Sequence, residues 1–113
     1  MEKGFIMTTT PTVPGYKITK VLGVVTGLTP RTRGLLGKFV AGIQSIIGGE
    51  VSAFTSELEK ARVDSMERVR SKALDLGANA VIGLDLETSD LGLSQGVVVI
   101  SATGTAVVVE KEN

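Results

Sequence analysis

The chain contains no cysteine and no histidine among its 113 residues. Without thiols and imidazoles, it cannot form disulfides, zinc-finger sites or an imidazole-based acid–base centre. Aromatic residues make up only 4% of the sequence, so the hydrophobic fraction of 42% consists mainly of valine, isoleucine, leucine and alanine. We therefore look for functional chemistry among the carboxylates first.

The charge balance and the hydrophobic runs argue against two kinds of partner. Twelve basic residues balance twelve acidic ones, whereas a nucleic-acid-binding surface needs a concentrated positive field. No apolar run reaches the ~18 residues expected of a transmembrane helix. The most apolar stretch, Leu35 to Ile47, is short and contains Lys38 and Gln44. Because the sequence has no secretory signal pattern, we expect a cytoplasmic protein.

The size and hydropathy of the chain favour a single domain that associates with other chains. The length suffices for one domain and is too short for two. The mean hydropathy of +0.29 is high for a small soluble monomer in which 21% of residues are charged. Surplus apolar surface on a small domain usually marks an interface. We expect a flexible tail over residues 1–7, one domain over 8–110 and a C-terminal tail over 111–113.

Hydrophobic periodicity predicts the element order β-α-α-β-β. Apolar, β-branched runs bounded by turn residues indicate strands, and apolar residues three and four apart indicate helices. The predicted elements are a strand over 16–26, a helix over about 35–47, a long helix over 50–76, and strands over 79–88 and 97–109. They predict an α+β fold with helices on one face of an antiparallel three-stranded sheet.

Glycine, proline and an uncharged run predict three special features of the strands. Imperfect alternation around Lys20 and Gly23 indicates a bulge or bend. The Thr29-Pro30-Arg31 segment is expected to end the first strand. The run from Val97 to Ile100 would favour aggregation if it lay on an open sheet edge. An oligomer that covered such an edge would remove this hazard.

The long helix combines an apolar stripe with a glycine at each end. Gly48-Gly49 predicts a tight corner with the preceding helix, and Gly77 predicts a left-handed C-cap. The helix would run for ~40 Å, against ~30 Å for the diameter of a small domain, so one end should reach a neighbouring subunit. The stripe comprises Val51, Phe54, Leu58, Ala61, Ser65, Met66, Val69, Ala73 and Leu76, and charged pairs are expected for Glu57/Lys60, Glu59/Arg62, Asp64/Arg68 and Glu67/Arg70.

Two carboxylates on the second predicted strand are candidate site residues. Asp85 and Glu87 are two residues apart and therefore project from one face of the strand. With Glu50 and Asp90 as further candidates, they could bind a hard divalent cation through oxygen ligands or act as acid and base. They could equally be a solvated strand face or form salt bridges to a neighbour, since two carboxylates rarely complete such a site.

Arg62 is the unusual residue of the long helix. Its helical angle predicts a position inside the apolar stripe, between Leu58 and Val69. An unpaired guanidinium there would be costly. We therefore expect an ion pair with Asp85, Glu87 or Glu50, within the chain or across a subunit boundary.

Short segments spread over the chain resemble the YbjQ-like family, whose members are labelled as heavy-metal-binding. The matching segments are Thr9-Thr10-Pro11, residues 23–27, residues 41–43 and 47–49, Glu57-Leu58, Ala61-Arg62, residues 76–83 and residues 104–107. The resemblance implies a dodecin-subunit-like α+β fold and a homopentameric ring. It does not imply an established function.

The residues and the resemblance together support one function and leave two alternatives. We expect a non-enzymatic homo-oligomer that binds a metal or small ligand between subunits, with a divalent metal as the candidate cofactor. The alternatives are a carboxylate-based enzyme and a structural or adaptor ring that binds no ligand.

Overall fold

The computed structural model describes residues 4–32, 49–90 and 97–113. Within these segments the fold is α+β, as predicted, with one helix and four strands. The elements are β1 (Ile6–Met7), β2 (Tyr16–Thr32), α1 (Gly49–Asp75), β3 (Ala80–Asp90) and β4 (Val97–Lys111). The helix predicted over residues 35–47 and the corner at Gly48 lie outside the described residues, although α1 does begin at Gly49.

The strands form one mixed sheet with the order β1-β3-β4-β2. The predicted three-stranded antiparallel sheet is wrong, because β1 adds a fourth strand that runs parallel to β3. Ile6 donates its backbone N–H to the Asn79 carbonyl at 3.3 Å, and Thr8 donates to the Val81 carbonyl at 3.0 Å. These two bonds attach β1 and the residue after it to the edge of β3.

The first long strand passes through the segment that was expected to end it. β2 continues through Pro30 to Thr32 and pairs with β4 over its whole length. Proline is tolerated there because β2 is an edge strand, where a missing N–H on the outer side removes no bond of the ladder. The register shifts between Ile18 and Lys20 and between Val21 and Gly23, which confirms the predicted irregularity.

The uncharged run that begins at Val97 lies in the interior of the sheet. β4 has β3 on one side and β2 on the other, so that Val98 pairs with both Arg31 and Asp90. The run therefore does not lie on an open sheet edge, where it would have favoured aggregation. Oligomerisation is not needed to protect it.

Helix α1 packs closely on one face of the sheet because small side chains line the contact. Its buried stripe has a spacing of four residues and comprises Ala61, Ser65, Val69 and Ala73. The facing sheet residues include Val25, Val81, Ala102 and Ala106. A Cβ atom built on Gly27 would lie 2.3 Å from the Ser65 carbonyl oxygen and 2.8 Å from the Arg68 Cβ. Glycine is therefore required where β2 passes under the helix.

Two buried hydroxyl groups complete the contact between helix and sheet. The Ser65 Oγ lies 2.7 Å from the Thr29 Oγ1 and 3.0 Å from the Ile100 carbonyl oxygen, and all three residues are buried. Ser65 has one hydroxyl proton, so both contacts are satisfied when Ser65 donates to Ile100 and Thr29 donates to Ser65. This network joins α1, β2 and β4 without leaving an unpaired hydroxyl.

Replacing Gly27 with alanine tests the close approach. The Gly27→Ala variant should lose about 1–3 kcal/mol of unfolding free energy, because the new methyl group forces the helix away from β2. Chemical denaturation at a fixed protein concentration measures this loss. The control Ser71→Ala changes an exposed position of the same helix and should stay within about 0.5 kcal/mol of the parent. Equal stability of all three proteins would contradict the packing.

Candidate functional site

A bulge in β3 places the two candidate carboxylates on the face of the sheet opposite α1. Ile82 pairs with Thr105 and Asp85 with Thr103, so β3 contains one extra residue between these pairs. Gly83 lies in this step with a φ of +61°, a conformation that favours glycine. As a result, Val81 and Leu84 both join the core under the helix, although unbroken strand alternation would place Val81 on the same face as Asp85.

The face opposite α1, which we call the open face, combines carboxylates, hydroxyls and aliphatic side chains. Strand alternation and the register place Ser101 and Thr103 of β4 beside Asp85 and Glu87 of β3 on this face. The register of β2, with its two shifts, places four exposed aliphatic residues on the same face. They are Ile18, Val21, Val24 and Leu28, with 37%, 66%, 73% and 53% of their surface exposed, respectively.

The described residues do not assemble a complete metal site. Among the described side chains of residues 4–32, 49–90 and 97–113, no three Asp, Glu, His or Cys side chains come close enough together to hold a metal ion. The side chains of Glu50 and Asp90 are not described, so their role as ligands stays a prediction. Asp85 and Glu87 offer hard oxygen ligands, whereas heavy metals prefer thiolates and imidazoles, which the chain lacks.

Arg62 points outward from the helix rather than into its apolar stripe. Its side chain is 51% exposed and its Nη1 lies 3.6 Å from the Glu59 Oε1, which is one of the predicted helical pairs. The predicted position inside the stripe is wrong, because the buried positions are Ala61 and Ser65 on either side of this turn. An ion pair of Arg62 with a neighbouring subunit stays a prediction.

Three cations line the outer edge of β2 and donate to its backbone carbonyls. The Lys72 Nζ donates to the Thr26 carbonyl at 2.6 Å, Arg68 donates to the Leu28 carbonyl, and Arg31 donates to the Pro30 carbonyl at 3.1 Å. These contacts show that every second carbonyl from Thr26 to Pro30 points away from β4. We call this row of side chains the basic edge.

The charged pairs of α1 agree with prediction in three of the four cases. Glu57 pairs with Lys60 at 3.4 Å and Glu67 with Arg70, in addition to the pair of Arg62 described above. The predicted Asp64/Arg68 pair is wrong. Asp64 lies 3.2 Å from Arg31 instead, because Arg68 reaches across to the edge of β2.

The end of α1 directs the chain into β3 through a left-handed glycine. Gly77 has a φ of +92° and donates its N–H to the Leu74 carbonyl at 2.9 Å, while Ala78 donates to the Ala73 carbonyl at 3.0 Å. This pair of bonds is the Schellman motif, which satisfies carbonyls that the helix leaves open. It fixes where β3 starts, and so contributes to the position of Asp85 and Glu87.

The chain belongs to the YbjQ family. The family model, described as "putative heavy-metal-binding", matches residues 5–110, and the resemblance noted in the sequence is thereby confirmed. The family is uncharacterised, and neither its description nor the relatives below indicate an enzymatic function.

Curated relatives and one solved structure agree with this membership. A UPF0145 protein of Thermoplasma volcanium is 48% identical and covers 96% of this chain and 88% of its own. A UPF0145 protein of Saccharolobus islandicus is 40% identical and covers 99% and 96%. A Pediococcus pentosaceus protein of unknown function from the DUF74 family has a similar fold, with a TM-score of 0.60 over 96% of this chain and 100% of its own at 18% identity.

The described helix is not long and apolar enough to cross a membrane. Its charged outer face, which carries the ion pairs of Glu57, Glu59 and Glu67, accounts for this finding.

Acid should weaken the Glu67–Arg70 pair. Hydrogen bonds from Arg70 hold the pKa of the Glu67 carboxyl below its ordinary value, so the pair stabilises the fold above the unfolded-state pKa. That contribution is lost as the pH falls through the folded-state pKa. In Arg70→Gln, the pKa of Glu67 should rise, as followed by carboxyl carbon NMR. In the matched control Arg62→Gln it should not change, and an unchanged pKa in Arg70→Gln would contradict the assignment.

Proposed function

We propose that this protein is a non-enzymatic homo-oligomer, a homopentameric ring in the cytoplasm, in which the open face of each sheet is covered by another copy. The observation that carries the proposal is the row of four exposed aliphatic residues on β2. The pentameric state follows the resemblance to the YbjQ-like family, which implies a homopentameric ring. The assembly is the primary function that the geometry favours, and ligand binding is a second function that depends on it.

The aliphatic row is unusual because it lies along one strand of one sheet face. Isolated exposed aliphatic residues are common on soluble proteins, whereas contiguous apolar patches usually mark interfaces. Ile18, Val21, Val24 and Leu28 lie along the open face with at least 37% of each exposed. Thr26 lies between the last two. Burying apolar surface stabilises by roughly 25 cal/mol per Å², so covering this row would favour association.

A second function, binding of a divalent cation or small polar ligand between subunits, rests on Asp85 and Glu87. Both carboxylates project from the open face beside the hydroxyls of Ser101 and Thr103. A hard cation such as Ca²⁺ takes six to eight oxygen ligands, which is more than these side chains of one chain provide. A neighbouring subunit or water would have to supply the remaining ligands.

The two alternative functions make different demands on the same residues. A carboxylate-based enzyme needs an enclosed pocket with perturbed acids, and the open face around Asp85 and Glu87 is exposed. A depression on the outer side of α1, lined by Glu59, Lys60 and Asp64 among others, contains neither residue. A structural or adaptor ring would have the same interface and bind no ligand.

Light scattering tests the oligomer. The wild-type protein should have several times the 11.8 kDa mass of one chain. A homopentameric ring should have five times that mass. Val24→Asp should shift the mass towards the monomer, because a carboxylate cannot be buried unpaired at an apolar interface. The matched control Val63→Asp, at a valine that is 59% exposed on the helix, should leave the mass unchanged. A monomeric wild type at micromolar concentration would refute the proposal.

Thermal unfolding with added cations tests the binding site. Millimolar Ca²⁺, Mg²⁺ or Mn²⁺ should raise the thermal unfolding midpoint of the wild-type protein by roughly a few degrees. A ligand well above its Kd stabilises the folded state that binds it. The double variant Asp85→Asn, Glu87→Gln should lose this response, and the control Glu110→Gln should keep it. A shift retained in the double variant would contradict the assignment, and no shift in any protein would favour the ring without ligand.

A further inference from the structure

The two long edges of the sheet carry opposite charges. On the β2 side, Arg68 and Lys72 reach over the outer strand and contact backbone carbonyls. On the β3 side, Asp85 and Glu87 are exposed. Among the described residues, β2 contains no acidic side chain and residues 80–89 of β3 contain no basic one. The sheet is therefore basic along one edge and acidic along the other.

Arg68, Lys72, Asp85 and Glu87 lack a counter-charge within the described part of the chain. Arg31, the third cation of the basic edge, is paired with Glu57 and Asp64. Asp85 and Glu87 take part in none of the ion pairs in this part of the chain, which involve Arg31, Lys60, Arg62 and Arg70 as cations. Arg68 and Lys72 donate only to carbonyl groups there. Carbonyl groups leave a lysine or arginine charge uncompensated, so a carboxylate would be a better acceptor for both side chains.

The opposite charges lie at matching levels along the sheet. Through their common partners on β4, Asp85 is level with Thr26 and Glu87 is level with Leu28. Thr26 and Leu28 are the two residues whose carbonyls accept hydrogen bonds from Lys72 and Arg68. Two strand spacings, ~10 Å, separate the two sides within one chain. A second copy placed edge to edge without a shift along the strands would bring the charges to the same level. Lys72 and Arg68 would then reach around the edge of β2 from the helix side towards the carboxylates on the open face.

β3 has a free edge at the same levels. The N-terminal segment bonds to β3 only as far as Leu84, whose N–H donates to the Thr8 carbonyl at 3.0 Å. By strand alternation, Leu86 and Thr88 also direct their backbone groups away from β4, and no described segment pairs with them. The edge of β2 is less suitable for backbone pairing, because Pro30 has no N–H and cations cover its carbonyls. Side chains should therefore make most of the contact.

We propose that successive copies in the homo-oligomer meet head to tail, with Asp85 and Glu87 of one copy accepting hydrogen bonds from Lys72 and Arg68 of the next. The partner is a second copy of this chain. A contact between two different edges is heterologous, and such contacts close into rings when the rotation per copy permits.

This inference rests on the proposed oligomer but not on cation binding. The cations of the neighbouring copy and a divalent metal ion compete for the same two carboxylates. The two uses of these carboxylates exclude each other. With the head-to-tail contact, added Ca²⁺ should weaken the ring more than NaCl of equal ionic strength, whereas thermal stabilisation by Ca²⁺ would support the cation site instead. Equal effects of the two salts would count against the carboxylates as interface residues.

Zero-length cross-linking tests the contact directly. In a mixture of ¹⁴N- and ¹⁵N-labelled wild-type protein, a carbodiimide should join Lys72 to Asp85 or Glu87 in peptides that combine both labels. The pair Lys60–Glu57, which is 3.4 Å apart within one helix, should give cross-links of one label only and serves as the internal control. Oligomer without any cross-link from Lys72 to these carboxylates, while the control pair reacts, would overturn the proposal.

Charge reversal gives an independent test. Lys72→Glu and Asp85→Lys should each raise the apparent dissociation constant of the oligomer about ten-fold or more, since like charges then face each other. The double variant in one chain should recover most of this loss, and the control Lys60→Glu should behave as the wild type. Circular dichroism identifies any variant that fails to fold, in which case the other reversal decides.

The outcomes separate this inference from the proposed function. A wild type that is monomeric by light scattering removes both. A wild-type oligomer that withstands both single reversals removes the head-to-tail contact and leaves the oligomer in place.

Discussion

The rest of the structure depends on the close contact of one helix with one face of the sheet. Gly27 and the stripe of Ala61, Ser65, Val69 and Ala73 allow the backbone of α1 to approach β2. The approach is also what lets Arg68 and Lys72 reach the outer carbonyls of β2. On the open face, Ala80, Val107 and Val109 form a second buried cluster, while the aliphatic row on β2 stays exposed. Close packing on one face thus leaves aliphatic side chains exposed on the other.

The sequence predicts this packing only in part. Spacing locates α1 to within one residue at each end, and glycine at 77 marks its C-cap. The sequence pattern misplaces Arg62. The nine positions assigned to the predicted stripe cover so wide an arc of the helix surface that Arg62 falls inside it. The true buried stripe has only four small residues among the described side chains, and smallness is a weaker signal than hydrophobicity. The close contact selects small residues, which a hydrophobic pattern does not register.

The strands show how non-local context overrides local signals. Pro30 suggests a break, yet an edge position removes the cost of its missing N–H. Ile6 and Met7 carry no strand period, and only the edge of β3 makes them a strand. Unbroken alternation along β3 would put Val81 and Asp85 on one face, whereas the positive φ of Gly83 and the extra residue in this step shift every later residue to the other face. The position of Asp85 and Glu87 opposite the helix follows from that one glycine, which could have been suspected as a bulge from sequence.

The chemistry of the chain favours assembly over the heavy-metal role that the family description names. Thiolates and imidazoles are absent from the sequence, and the remaining carboxylates are hard ligands that also serve well as partners for arginine and lysine. At the edges of the sheet, carboxylates and cations occur at the same levels but on opposite sides. Separated charges of this kind do not stabilise a single copy, because ~10 Å of sheet lies between them. They gain a partner only when the edge of one copy meets the edge of another.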